Sequence, residues 1–209
     1  MSAGRKRRQP EQAQDLILDA AEHEFLSRGY EGFRVADVAR GAGVSRPLVV
    51  HYFGSRDDLL EAVVQRVLAR LGASVLEEVK NHAETGTSSK LPQTLMAATH
   101  AVFKKHARLI VWLMLSGRAN KLVEPIKAVI AAIHESRVSD VGDASIQDTS
   151  FVVAMQLFAL LASEIAPEML GLITPKLGGK KRAGFQFREW LAEIAGAHLE
   201  RRVSDVFEP

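Results

Sequence analysis

Val35-Ala36-Asp37-Val38-Ala39-Arg40-Gly41-Ala42-Gly43-Val44-Ser45-Arg46-Pro47-Leu48-Val49 is the stretch on which the fold turns. It reads as two short helices, near Val35–Ala42 and Arg46–Phe53, joined by a tight bend. Ala39 is small where two helices must cross closely. Gly43, four residues on, can take the left-handed conformation that such a turn needs. Val44 and Val49 supply apolar contacts that lock the second helix at a steep angle. Ser45 is placed to cap that helix, and Pro47 falls in its first turn, where no N–H is required. The expected exposed face offers Arg46, Leu48 and His51, with Tyr52 near the end. A short helix of this kind enters a DNA major groove N-terminus first. An ordinary helical hairpin shares the Ala-x-x-x-Gly spacing. The capping serine, the basic residue and the second break at Gly54-Ser55, all in register, strengthen the DNA reading beyond any one of them.

Outward from this core the pattern is helical nearly throughout. Ala, Leu, Glu and Arg dominate, and no β-branched alternation with hairpin turns appears, so the fold class is all-α. A first helix is predicted from Pro10 to Arg28, with Gly29 as its stop. Ile17, Ala20, Ala21 and Phe25 form one packed stripe on it. The fourth helix is predicted over Arg56–Val79, with Ser55 as its cap and Asp58 in a variant capping box. A fifth and sixth share Leu91–Leu115, broken near His106–Arg108. The seventh spans about Val123–Val138, the eighth Thr149–Ile165 and the ninth Phe187–Val206. Asn81–Lys90, Val141–Asp148 and Thr174–Gly184 read as polar connections.

The 209 residues are 47% hydrophobic and contain no Cys, which permits a sizeable core and excludes disulfides and thiolate chemistry. The basic start Arg5-Lys6-Arg7-Arg8 is followed by Gln9-Pro10-Glu11-Gln12, where a signal peptide would have an apolar run. The longest apolar stretch, around Leu109–Leu115, falls short of the ~20 residues that span a bilayer. A soluble, cytoplasmic protein with no membrane partner is expected. The net charge of +2 names no partner, and residues 1–60 balance nine Lys and Arg against nine Asp and Glu. Only placement speaks for DNA: basic residues bunch at the N-terminus and recur at Arg34, Arg40, Arg46 and Arg56. The seven His (23, 51, 82, 100, 106, 134, 198) show no HExxH or clustered metal spacing. There is no GxSxG elbow and no Gly-rich phosphate loop. No enzyme activity, catalytic residue, metal or cofactor is expected.

The segment Ile17-Leu18-Asp19-Ala20-Ala21, Phe25, Gly29-Tyr30, Asp37-Val38-Ala39, Ala42-Gly43-Val44-Ser45, His51-Tyr52-Phe53, Ser55-Arg56-Asp57 and Leu59-Leu60 resembles the DNA-binding domain of the tetracycline-repressor family. The resemblance covers about residues 10–61. It implies a nine-helix architecture, with a three-helix helix-turn-helix head (residues 10–55) behind a basic arm (1–9). A larger domain for effector binding and dimerisation (56–209) would follow. It further implies a homodimer through the eighth and ninth helices, docking on an inverted-repeat operator in double-stranded DNA. The apolar faces of those helices suit that role: Phe151, Val152, Met155, Phe158, Ala159 and Ala162, then Trp190, Leu191, Ile194, Ala195, His198 and Leu199. The same faces also serve a monomer core.

The expected DNA contacts are Arg34, Ser45, Arg46, Pro47, Leu48, Val49, His51, Tyr52 and Arg56. Arg34, Arg46, Tyr52 and Arg56 grip phosphate in this reading, while Leu48, Val49 and His51 face bases. Several positions depart from the family pattern. Arg34 stands where a capping Thr or Ser is usual, Val50 where an aromatic is common, and Pro47 where Gly or Ala is frequent. Glu24 lies at a position usually apolar, where Arg28 one turn on can answer it. Arg5–Arg8 can lie along DNA or remain a solvated tail. A small-molecule effector, largely apolar, is expected between helices four and eight. Met96, His100, Phe103, Trp112, Met114, His134 and Met155 are its candidate lining, or else plain core. The leading reading is a repressor released by such a ligand. An activator, an effector-free architectural protein and a protein-binding adaptor stand beside it.

Overall fold

The computed structural model describes residues 10–85, 91–142, 144–173 and 180–199. The basic arm, including Arg5–Arg8, lies outside them. Among the described residues the chain is all-α, with nine α-helices. These are α1 (Pro10–Gly32), α2 (Val35–Ala42), α3 (Arg46–Phe53), α4 (Arg56–Thr85), α5 (Leu91–Leu113), α6 (Val123–Val141), α7 (Ile146–Ile165), α8 (Pro167–Ile173) and α9 (Lys180–Leu199). They divide into two compact units. Among the described residues, one holds those up to Val67 with Leu109–Lys121, and the other holds those of Leu68–Arg108 and from Leu122 to Leu199. The expected boundary at residue 55 therefore differs from the compact division, because the first three turns of α4 belong with the helix-turn-helix.

The first unit forms because three consecutive helices each carry a buried stripe. Ile17, Ala21 and Phe25 of α1 are buried, with Val38, Ala39 and Ala42 of α2 and Val49 of α3. Phe33, with no exposed surface, joins them from the link between α1 and α2. Leu59, Leu60, Val63 and Val64 of α4 are likewise sealed, as are Leu109, Ile110 and Leu113 at the end of α5. α1 is interrupted at Gly29, whose φ of 65° and ψ of −174° leave the helical region, and resumes for one turn to Gly32. The stop read at Gly29 is thus a break rather than the end. Glu24, only 9% exposed, pairs with Arg28 at 3.2 Å. Arg28 in turn lies 3.3 Å from Asp37, which also holds Arg40 at 2.6 Å. Arg66 of α4 anchors α1, reaching Asp19 at 2.8 Å and Glu22 at 3.4 Å.

The chain after α4 departs more from expectation. α5 has no break at His106–Arg108, where the His106 ring nitrogen meets the Val102 carbonyl at 3.0 Å inside an unbroken helix. The interruption comes later, as a π-helical turn at Met114–Arg118 around Gly117 (φ 77°), followed by a 3₁₀ turn at Ala119–Leu122. One expected pair of helices is therefore a single helix, and the short α8 was not foreseen. α9 begins at Lys180, inside the stretch read as a polar loop. The residues of its expected extension beyond Leu199 lie outside those described.

α7 packs against α6, α8 and α9. Its first residue, Ile146, comes three before the expected start and follows a Ser145 cap, with the Asp148 N–H donating to the Ser145 hydroxyl at 3.4 Å. Arg137 of α6, itself only 5% exposed, binds the unit together. Its Nε donates to the Leu199 carbonyl at 2.6 Å, and its Nη1 donates to the Ser145 carbonyl and the Thr149 hydroxyl, both at 3.3 Å. A buried guanidinium is tolerable only when its donors are met in this way. α7 is the one described helix long and apolar enough to cross a bilayer by length and composition, with a mean hydropathy of 1.4. The longest uninterrupted apolar run, at Leu109–Leu115, did not register it. Val152, Val153, Leu160 and Leu161 bury one side of α7, while Phe151, Met155, Phe158 and Ile165 stand exposed on it.

Candidate nucleic-acid interface

The turn between α2 and α3 combines backbone hydrogen bonds with one side-chain cap. Gly43 adopts φ 65° and ψ 35°, left-handed values that a Cβ would oppose. Its N–H donates to the Arg40 carbonyl at 3.2 Å, and the Val44 N–H donates to the Ala39 carbonyl at 3.0 Å. These are the paired bonds of a Schellman motif, which satisfy two carbonyls that the end of α2 would leave open. Two residues later the chain is extended at Ser45, whose hydroxyl accepts from the Leu48 N–H at 3.4 Å and starts α3. Pro47 sits in the first turn, where its missing N–H costs nothing. The sequence thus ends one helix and begins the next within three residues.

α3 then has a definite outer face. Arg46, Pro47, Val50 and His51 are exposed, Leu48 and Tyr52 half-buried, and Val49 is 1% exposed. Val49 was expected to meet bases, but it packs inward and keeps only its role as a lock. Val50, 47% exposed, takes the outward place one turn after Arg46. The i, i+4 step from Arg46 was the available signal for it. His51 and Tyr52 lie with ring centroids 5.5 Å apart, so the end of the helix carries a small aromatic cluster.

The flanking cations are placed differently from one another. Arg34 precedes α2 in an extended conformation and makes no side-chain cap. Its Nη1 instead donates to the Glu31 and Phe33 carbonyls, at 2.5 and 3.1 Å, and the side chain stays exposed. Arg56, expected at phosphate, is turned inward. Its guanidinium lies 4.1 Å over the Tyr30 ring and donates to the Tyr30 carbonyl. A phosphate contact would give up both interactions. Arg40 remains outward, with its side chain 77% exposed beside Asp37.

The seven residues considered for a ligand do not share one setting. Met96, His100 and Phe103 follow one face of α5, with Met96 and Phe103 buried. His100 lies 3.0 Å from Glu164 of α7. Burial and the nearby Arg188 push its pKa below the usual histidine value, against the opposing pull of Glu164. His134 is half-buried, with Nδ1 3.5 Å from the Thr149 hydroxyl, and Met155 is 43% exposed on α7. Trp112 and Met114 belong to the other unit, where Trp112 stacks on Tyr30 at 5.2 Å. Among the described residues no group of three His, Asp or Glu side chains is arranged to hold a metal ion.

Three kinds of comparison bear on this geometry. Residues 17–63 match the model of "Bacterial regulatory proteins, tetR family". An HTH-type transcriptional regulator of Mycobacterium tuberculosis is 28% identical over 191 residues, covering 85% of this chain and 93% of that one. The HTH-type transcriptional repressor KstR2 of Mycolicibacterium smegmatis is 28% identical over 106 residues, half of each chain. In fold, the chain is similar to a TetR-family regulator from Mesorhizobium loti, with a TM-score of 0.63 at 18% identity. That alignment covers 93% of this chain and 96% of the other.

Proposed function

The chain belongs to the tetR family of bacterial regulatory proteins and is a DNA-binding transcriptional regulator, and from that premise we propose that it is a dimeric repressor released from its operator by a small ligand. The observation that carries the DNA-reading part is the α2–α3 turn. Its Schellman bonds and Ser45 cap present Arg46, Pro47, Val50 and His51 outward from the first residues of α3. A major groove admits such a helix end-on, with Arg46 and the half-buried Tyr52 beside the backbone and His51 and Val50 toward base edges. Arg34, whose exposed side chain would exchange the Glu31 and Phe33 carbonyls for phosphate, is assigned to the DNA backbone.

Support for dimerisation comes from Phe151, Met155 and Phe158 of α7 with Trp190 and Ile194 of α9, all exposed and large. Two-fold pairing of these faces buries them and sets two reading heads on an inverted repeat, roughly 34–36 Å apart in the simplest arrangement. Repression is the sign named for one such relative, KstR2, while another, FasR of the same organism, is named an activator; we take the repressing sign as part of the proposal. The ligand is assigned to the second unit, where Met96, His100, Phe103 and His134 are its candidate contacts. Such a protein works in the cytoplasm, where its DNA is.

The test is selection of bound sequences from random DNA, followed by titration at several salt concentrations. Arg46→Ala is expected to weaken binding across sequences and to reduce the salt slope by about one. His51→Ala is expected to relax preference at one base pair, at a cost of ~1–3 kcal/mol. A slope unchanged in Arg46→Ala overturns its phosphate assignment. For release, linkage requires that operator lower ligand affinity by the same factor by which ligand lowers operator affinity. Calorimetry of a ligand found by thermal shift, with and without saturating operator, decides this. Equal affinities in the two titrations dismiss release by that ligand.

A further inference from the structure

Leu109–Lys121 belongs to the same compact unit as the helix-turn-helix, although the family match ends at residue 63. Aromatic and ionic contacts hold it there. Trp112 stacks on Tyr30, which also carries the Arg56 guanidinium and donates its hydroxyl to Asp57 at 3.3 Å. Arg118 Nη1 donates to Asp58 Oδ1 at 2.8 Å and to Glu61 Oε2 at 2.7 Å. Lys121 Nζ lies 3.2 Å from Glu61, and the Gln65 side chain donates to the Lys121 carbonyl. Arg118 is the last residue of the π-helical turn that contains the left-handed Gly117. Such turns are rare and concentrate where a helix has a task beyond its own stability.

Asp58 divides its two oxygens between two jobs. Oδ2 accepts the Ser55 N–H at 3.0 Å and the Ser55 hydroxyl at 2.6 Å, closing the capping box that opens α4. Oδ1 takes Arg118. The carboxyl is held down to a pKa of about 2, first by the Ser55 hydroxyl and then by Arg118. Ser55 follows directly on Gly54, where α3 ends with φ 75°. The same carboxylate therefore joins a residue far along the chain to the junction behind the outward face of α3.

We propose that Arg118 is a positioning residue for DNA binding: by bridging Asp58 and Glu61 it fixes the first turns of α4, and through the Ser55 cap the setting of α3, without touching DNA. The proposal rests on the reading of α3 as the recognition helix. With Arg118 gone, Asp58 keeps the Ser55 cap but loses its tie to a residue outside α4 and its cap, and Glu61 keeps Lys121. The junction after α3 then samples more orientations, and each bound complex must select the productive one.

The experiment measures operator affinity across a salt series for Arg118→Met, Arg118→Lys and Arg46→Ala in the full chain. Each protein is also labelled with 5-fluorotryptophan, and the Trp112 ¹⁹F resonance is assigned by Trp112→Phe. Arg118→Met is expected to lose about threefold or more in affinity, the low end of coupling between neighbouring residues, with the salt slope unchanged. The Trp112 resonance should shift, and Arg118→Lys should restore most of both. A slope reduced by about one in Arg118→Met would make Arg118 a direct phosphate contact and overturn the proposal. Unchanged affinity in Arg118→Met would overturn it as well. If Arg46→Ala leaves affinity and slope untouched too, the fault lies with the reading of α3; if Arg46→Ala behaves as expected, it lies with Arg118 alone.

Discussion

Ser45 and Ser145 perform the same task, one in each unit. Each hydroxyl accepts from the N–H three residues on, at 3.4 Å, and starts a helix. Around Ser45 every neighbour repeats the message: a left-handed Gly43 before it, Pro47 after it, and the buried Val49 one turn on. Around Ser145 the message is spoken elsewhere. Its carbonyl is held by Arg137 of α6, and that same guanidinium reaches Leu199 at the far end of α9. The reading head is thus assembled mainly from helices adjacent in sequence, α1 on α2 and α2 on α3. The body depends on α7 meeting α9. Local chemistry sets the helix bounds and the turn of the first arrangement, which Leu109–Lys121 then completes from a distance; the second needs distant partners even for its helix starts.

The contrast can be broken most forcefully in the packed interiors. Phe33→Ala empties a site with no exposed surface in the head, and is expected to cost ~3–5 kcal/mol of unfolding free energy in denaturant titration. Phe158→Ala removes a ring that is 61% exposed on α7. Surface truncations of this kind change stability by about 0.5 kcal/mol or less. Its effect should appear instead as weaker self-association in sedimentation. A large loss of monomer stability at Phe158 would place that ring in a core.

The two caps sharpen the comparison at a smaller scale. Ser45→Ala and Ser145→Ala each remove one cap, for which ~1 kcal/mol is typical. The Ser45 substitution should cost operator affinity as well, because α3 begins there; Ser145→Ala should leave DNA binding intact. Equal losses of affinity would mean that the cap matters only through overall stability.

The smallest effect concerns acid. Asp58 falls from an ordinary 3.8 to about 2, chiefly through the Ser55 hydroxyl and then Arg118. A depressed carboxylate contributes stability above its unfolded pKa and loses it as pH falls through the folded one. The contribution is therefore complete above about 4 and fades toward 2. With the side chain 48% exposed, solvent screening reduces it to a few tenths of a kcal/mol. Asp58→Asn should flatten the stability profile across that window, measured by denaturant titration at stepped pH.

How much could be read from the residues follows the same division. The bounds of α2 and α3, the Gly43 turn and the Ser45 and Ser55 caps were legible because each is marked at its own position. The phase of α3 was half legible. Val49 and Val50 are chemically alike, and only the burial of one distinguishes them. In the body, His106-Ala107-Arg108 looked like a break because it is polar, yet it contains neither Gly nor Pro, and the helix runs through it. Lys180-Lys181-Arg182 looked like a loop for the same reason, although Lys and Arg are good helix formers. Ser145 and Asp148 repeat the spacing of Ser55 and Asp58, but lay hidden within a polar run. Trp112 read as pocket lining because its partner, Tyr30, stands on the first helix.

Heads and bodies of related regulators invite recombination, since the family match is confined to residues 17–63. A graft cut just after that match would carry Tyr30, Arg56, Asp58 and Glu61 into a host without Trp112, Arg118 or Lys121. Tyr30 would lose its stacked ring, and Asp58 and Glu61 would become unneutralised acids beside the helix that must approach a polyanion. The transferable module in this chain is discontinuous: the residues through Val67 together with Leu109–Lys121. A chimera built on both segments inherits the head with its own counter-charges; one built on the first alone inherits Asp58 and Glu61 without the Arg118 and Lys121 that answer them.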